Sequence, residues 1–425
     1  MKTRFVGAAL AVCLLGSASA LMTLGTVSPA YAAAKPSGPQ VSPAVGKLLN
    51  GAQKLMEAKD FAGALVLIKQ AQALPDQTAV DSYEINNFLG MTSFSLNDHA
   101  GADAAFEAMA DSPAMPDEDK ATTLHNAALL ASEAKHYDKA IKYAQAILAM
   151  GGPPDPAVLA VLSEAYYHNN DYPNAEATAQ KAIAATAAGV APNRGALEIA
   201  LASQLKQKKE ADAFNTLETI VTFYDEPDEW AQLIDVSLGT KGIKDLDALN
   251  MYRLLIAAKA IGSPDDIGVM AALALQNGYP AEAQRALEAG IAAGKLSNSG
   301  KTGAQLAEAR TRAAKDRATL ASFEAAAVKS PNGELDVKLA ETYFGYGRYA
   351  DAVTAARRGL GKGGAKTDAN EANMVLGMAL AIQGNNADAL AAFNNIKNGS
   401  PAAMKAQHLW ILYTGRKYAT AAAAH

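Results

Sequence analysis

Leu376 to Pro401, LGMALAIQGNNADALAAFNNIKNGSP, reads as two short helices joined by the turn Gly384-Asn385-Asn386 and closed by a proline. Apolar residues recur at helical spacing on both sides of the turn, and a glycine followed by two asparagines is a local stop signal. A helix pair this short cannot bury its own apolar stripe, so it predicts a chain built by stacking similar pairs. The rest of the sequence repeats it. Alanines at the start of each second helix recur at Ala64, Ala102, Ala140, Ala175, Ala213, Ala248, Ala283, Ala318, Ala352 and Ala389. Twelve residues before most of these stands a small residue where the two helices of a pair must approach closely: Ala52, Gly90, Ala128, Ser163, Ala271, Ala340 and Gly377. Leu201, Val236 and Leu306 break that rule and mark a looser middle.

The turns carry a second regularity. Lys59-Asp60-Phe61, Lys135-His136-Tyr137, Asn170-Asp171-Tyr172 and Gly347-Arg348-Tyr349 each place an aromatic residue at the start of a second helix. With Leu376, Gly377, Gly384, Ala389, Phe393 and Pro401, this pattern resembles the tetratricopeptide repeat (TPR), a helix-turn-helix unit of about 34 residues. The likeness spans Val45 to Pro401. It implies an all-α fold, a right-handed α-solenoid of about ten such repeats with a C-terminal capping helix. The organisation expected is a signal peptide at 1–32, a flexible linker at 33–43, regular repeats at 44–192, degenerate repeats at 193–333, regular repeats at 334–401, and at 402–425 a capping helix whose tail frays from Ala419. A narrower resemblance lies in the middle. Trp230, Leu233, Leu249, Tyr252 and Leu255, followed by Ala289 to Leu296, are similar to periplasmic TPR proteins of Gram-negative bacteria linked to TonB-type energy-transduction systems.

Composition agrees with helices. Half of the 425 residues are apolar and only 6% are aromatic. The net charge of −5 becomes −7 once Lys2 and Arg4 are removed with a leader. No Lys/Arg stripe interleaved with aromatics provides a footprint for nucleic acid. Basic Lys2 and Arg4, an apolar run from Phe5 to Leu15 and the A-x-A pattern Ala30-Tyr31-Ala32 read as a secretion signal with the mature chain starting at Ala33. The alternative is an uncleaved anchor over Phe5 to Val27, and membrane contact is expected only in that case. The single cysteine, Cys13, lies inside this segment, so a mature chain has no disulfide.

Chemistry finds little support. Gly294 to Thr302, GKLSNSGKT, ends like a P-loop, but its glycine is one place early and no strand precedes it. Of the six histidines, His99, His125, His136, His168, His408 and His425, no two are spaced as metal ligands on a helix. His99 and His136 fall in inter-helix turns. No nucleophile elbow or Cys/His pair exists, and no cofactor, metal or small-molecule substrate is expected. Acid runs such as Asp225, Glu226, Asp228 and Glu229 read as helix-start charges.

In TPR proteins the first helix of each repeat lines a concave groove. That resemblance nominates Glu84, Asn87, Met91, Phe94, His125, Glu164, Tyr167, Glu334, Glu341, Phe344, Glu371 and Met374 as partner-binding residues, with Thr122 and Leu129 beside them. It implies a non-catalytic periplasmic adaptor that holds a protein partner of the cell envelope, such as a TonB-type component. The ligand expected is a basic or neutral helix or extended segment. The alternatives are an assembly factor for an outer-membrane, secretion or cell-wall machine working through the convex face or end cap, and an enzyme with an unrecognised site in 193–333.

Overall fold

The computed structural model describes residues 40–153, 155–187 and 189–423. The expected signal peptide, its cleavage pattern and most of the expected linker lie outside these residues. Among the described residues there are twenty α-helices and no strand. Nine pairs are α1 (Pro43–Glu57) with α2 (Phe61–Gln72), α3 (Ala79–Ser95) with α4 (His99–Ala110), α5 (Lys120–Glu133) with α6 (Tyr137–Ala149), α7 (Pro156–His168) with α8 (Tyr172–Ala184), α9 (Arg194–Lys206) with α10 (Glu210–Phe223), α11 (Pro227–Leu238) with α12 (Asp245–Ala257), α13 (Pro264–Gln276) with α14 (Pro280–Ala292), α16 (Glu334–Gly345) with α17 (Tyr349–Lys362), and α18 (Ala369–Ile382) with α19 (Asn386–Asn394). Two helices stand alone, α15 (Gly300–Lys329) and α20 (Pro401–Ala423). Consecutive helices pack on each other from α1 to α9 and from α11 to α20, as a solenoid requires. The chain forms two compact units, dividing at Thr216/Leu217 within α10.

Eight of the nine pairs turn in the same way. The second residue after the first helix takes positive φ: Lys59, Asn97, Lys135, Asn170, Lys208, Gly278, Gly347 and Gly384. The next residue donates its N–H to the carbonyl five positions back, as in Asp60 to Leu55 (2.8 Å), His136 to Ala131 (2.7 Å) and Asn385 to Leu380 (2.9 Å). This Schellman closure satisfies the orphan carbonyls of the first helix and aims the chain into the second. At several turns the following side chain then caps the second helix, as Asp60, Asp98 and Asp171 do for α2, α4 and α8.

The small residues sit at close approaches. Ala52, Ser163, Ala271 and Ala340 have no exposed surface. A Cβ on Gly90 would stand 2.7 Å from the Phe106 ring, and one on Gly377 would stand 2.4 Å from Phe393. Nine of the ten marker alanines lie in second helices, eight of them fully buried. The tenth, Ala318, was expected to start a second helix and does not. It is an exposed residue in the middle of α15, a continuous helix of 30 residues. From Gln305 to Lys329 the sequence has neither glycine nor proline and is rich in Ala, Glu, Lys and Arg, so nothing breaks it. One stripe, Leu306, Ala309, Ala313, Leu320 and Ala327, is buried.

That single helix shifts the alternation of the second unit. In the first unit the first helices of neighbouring pairs touch, α1 with α3, α5 with α7 and α7 with α9. In the second unit α14 touches α16, α16 touches α18, α18 touches α20, and α20 returns to α12. The expected cap is therefore more than a cap. Besides packing on α19, α20 closes back onto α12: Trp410 Nε1 donates to the Asn250 carbonyl (3.0 Å), and the Tyr413 hydroxyl donates to that of Ala257 (2.8 Å). α20 runs to Ala423, and 424–425 lie outside the described residues.

Candidate functional site

In the first unit the face made by α3, α5 and α7 carries the nominated residues half-buried. Glu84, Asn87, Met91 and Phe94 follow one another on α3, His125 stands on α5, and Glu164 and Tyr167 stand on α7. Leu129 is half-buried beside them, and Thr122 is exposed. The Tyr83 hydroxyl, 3.4 Å from the Thr123 hydroxyl, ties α3 to α5 from beneath. Burial pushes the Glu84 carboxyl above the usual range, a hydrogen bond with Asn87 opposes this, and the nearby Asp119 charge pushes it further up. Glu164 is raised in the same way, by burial first, with His168 opposing and Glu133 adding to the rise. Aromatic rings flank these acids. Phe94 meets His99 edge-on at 5.9 Å, and Tyr167 meets Tyr172 at 5.5 Å.

The opposite charges of this unit are spent elsewhere, between successive second helices or their turns. Lys139 binds Glu107 (2.6 Å), Lys142 binds Asp111 (2.9 Å), His136 binds Asp103 (2.7 Å) and Lys209 binds Glu176 (2.6 Å). These bridges hold repeat to repeat on the far side and leave α3, α5 and α7 facing outward with acids and rings.

The second unit is different. Glu334 is half-buried on α16, where its bond to Lys338 (2.9 Å) holds its carboxyl below the usual range. Glu341, Phe344 and Met374, nominated for an open groove, are 1%, 4% and 6% exposed. They are covered because Arg253 of α12, itself 2% exposed, enters among them. Its guanidinium binds Glu282 of α14 through two parallel hydrogen bonds (2.8 and 2.7 Å) and accepts no water-facing position. It also donates to Asn250 (2.9 Å) and contacts Glu341 of α16 at 2.8 Å, with the Phe344 ring 4.7 Å from its centre. The Glu341 contact is an ion pair without hydrogen-bond alignment, so neither Glu341 oxygen has a hydrogen-bond partner. Glu371 of α18 is half-buried at the edge of the group. Burial, with Glu341 and Asp368 adding, raises its carboxyl to about 7, while Arg253 and Lys338 oppose.

Sequence reading missed Arg253, Glu282 and Tyr279. A signal was present: Arg253 lies four residues after Leu249 and next to Tyr252, on a stretch otherwise apolar, where a charge implies a buried partner. It also missed where α20 sits. His408 pairs with Glu218, which raises the imidazole's pKa, and Arg416 pairs with Asp225. Tyr413 meets Trp230 edge-on at 5.6 Å. His99 and His136 lie at their turns, about half-exposed. Among the described residues no three His, Cys, Asp or Glu side chains are grouped to hold a metal ion.

A family model described as tetratricopeptide repeat matches residues 125–190 and 337–403. The chain is similar to the crystal structure of a tetratricopeptide repeat protein from Parabacteroides merdae ATCC 43184, at 12% identity over 70% of this chain and 99% of that one, with a TM-score of 0.34. It is also similar to the TPR domain of P58(IPK), at 12% identity over 80% and 99%, with a TM-score of 0.22. A search of curated proteins finds no match.

Proposed function

We propose, from the premise that this chain belongs to the tetratricopeptide-repeat family and is a protein-interaction scaffold, that it is a non-catalytic adaptor of the cell envelope whose first unit holds the partner. One contrast carries the reading. The nominated α3, α5 and α7 side chains are half-buried, whereas their counterparts on α16 and α18 include Glu341, Phe344 and Met374, buried by the unit's own residues. The basic and apolar start of the chain with its A-x-A pattern supports export, and the resemblance around Trp230 to Leu296 supports an envelope partner of the TonB type. A preformed face limits the entropy lost on association and suits shallow, repeated contacts.

The test is a photoreactive amino acid placed at Met91 or Tyr167, with Val66, 56% exposed on α2, as the control position. Irradiation in cells should give a discrete protein adduct from the first two positions and none from Val66. Adducts only at Val66, or none at Met91 and Tyr167 while the protein is folded, would overturn the assignment. The end-cap alternative needs surface substitutions on α20, because deleting that helix removes Trp410 from the packed interior.

A further inference from the structure

We propose that the segment seated on the α3–α5–α7 face is basic, carrying two Lys or Arg side chains about six residues apart with an aromatic or apolar residue between them. This rests on the groove reading above and adds the chemistry of the occupant. The face is apolar and aromatic at Met91, Phe94 and Tyr167, and acidic at two places. Glu84 of α3 lies by Asp119 at the start of α5, and Glu133 at the end of α5 lies by Glu164 of α7. Each pair joins carboxylates from neighbouring helices, so each raises the local cost of ionisation instead of relieving it.

Among the described residues no Lys or Arg is paired with these acids. Helices α3, α5 and α7 contain one such residue between them, Lys120, at the first position of α5. Among the described residues the only opposite groups at ion-pair range are imidazoles: His99 at 3.2 Å from Glu133 and His168 at 3.9 Å from Glu164. Lysines elsewhere in the unit are paired with acids, Lys139 and Lys142 of α6 with Glu107 and Asp111 and Lys209 before α10 with Glu176 of α8. Each site sets a half-buried carboxylate, Glu84 or Glu164, beside an exposed one, Asp119 or Glu133, and an ammonium or guanidinium brought by a ligand relieves both acids at once. The spacing follows from the length of α5. Asp119 and Glu133 stand at the two ends of α5, about 21 Å apart at 1.5 Å per residue, and an extended chain covers about 3.3 Å per residue, which separates the two cations by about six residues.

The experiment uses the full chain and three labelled peptides, each twelve residues of Ser and Ala around a central Phe, with Lys, Gln or Glu at positions three before and three after it. Anisotropy at low salt should show the Lys peptide binding at least 100-fold more tightly than the Glu peptide, with the Gln peptide between them. Glu84→Gln and Glu164→Gln should each weaken the Lys peptide about tenfold, while Glu210→Gln/Asp212→Asn, two exposed acids on α10, should leave it unchanged. Equal binding of the Lys and Glu peptides, no binding of the Lys peptide, or an affinity untouched by both glutamine variants would overturn the proposal. Failure of the groove itself reads differently: Phe94→Ala/Tyr167→Ala would then leave every peptide unaffected, and the photoreactive Tyr167 position would give no adduct.

Discussion

Replacing Arg253 by Met should destabilise the second unit by about 3–5 kcal/mol, because it leaves two buried carboxylates without their cation. Glu282 is 5% exposed and Glu341 1%, and among the described residues Arg253 is the only cation within ion-pair distance of either. Neither acid can turn to water, so each must stay charged in a poor medium or take up a proton at neutral pH. For a unit of this size the loss corresponds to about 6–20 °C in Tm. The assay is selective. Both tryptophans of the chain, Trp230 and Trp410, lie in the second unit and are fully buried, so tryptophan emission during urea unfolding reports that unit alone. Stability of the variant should recover on acidification, because carboxylates with raised folded-state pKa stabilise below their unfolded value and lose that contribution as pH rises. Replacing the whole group, Arg253→Met with Glu282→Leu and Glu341→Leu, should return stability to wild type or above it. A loss under about 1 kcal/mol for Arg253→Met, or a triple variant no better than the single, would refute the account of a buried, mutually dependent ion group.

Three further expectations are independent of that group or border it. Gly377→Ala forces a Cβ to 2.4 Å from the Phe393 ring, and the overpacking cost of about 1–3 kcal/mol should exceed the gain of about 1 kcal/mol in helix propensity, read as a lower urea midpoint for the tryptophan signal. Asn170→Gly relieves a positive-φ residue at an exposed turn and should raise stability of the first unit by up to about 1 kcal/mol, measured by far-ultraviolet circular dichroism. Glu371, with its folded pKa raised to about 7 from 4.5, binds its proton more tightly when folded; the second unit should therefore lose on the order of 2 kcal/mol between pH 4.5 and 7 that Glu371→Gln does not lose. Parallel pH profiles for wild type and Glu371→Gln would count against it.

The fold was legible where contacts are local. Gly377 meets Phe393 and Gly90 meets Phe106 within one helix pair, so a small residue and an aromatic at fixed spacing encode the contact directly. The turns were legible for the same reason, since an Asn or Lys followed by Asp occupies a closure made within six residues. Ala318 misled because an alanine-rich helix offers a marker at almost any phase, and only the missing turn chemistry around Lys315 and Asp316 argued against it. The site was half legible. Periodicity places Glu84, Met91 and Tyr167 on one face, but it cannot tell whether another part of the chain fills that face. In the second unit Arg253 reaches Glu341 and Trp410 reaches Asn250 across long stretches of sequence, pairings that no local pattern specifies.

The two units answer the same physical problem in opposite ways, and the difference traces to one unbroken helix. Stacked pairs leave the face of their first helices uncovered. In the second unit α15 replaces a pair, the alternation shifts, and α12, α14, α16, α18 and α20 come to share a face. Arg253, Glu282 and Glu341 occupy its middle, and Trp410 seals α20 to α12. That face has spent its polar and aromatic groups on itself, so its charges stabilise a fold. In the first unit every pair is regular, the nominated side chains of α3, α5 and α7 stay half-buried, and among the described residues Glu133 and Glu164 have only imidazoles at ion-pair range. A regular array therefore stays available to a ligand because it is regular, and an array with an inserted helix closes. Binding capacity should follow the intact alternation. Breaking it in the first unit, by joining α5 to α6 through Lys135→Ala/His136→Ala and deletion of Tyr137, should abolish Lys-peptide binding even where helicity is retained. Undiminished binding by such a variant would show that capacity depends on individual side chains and not on the alternation that presents them.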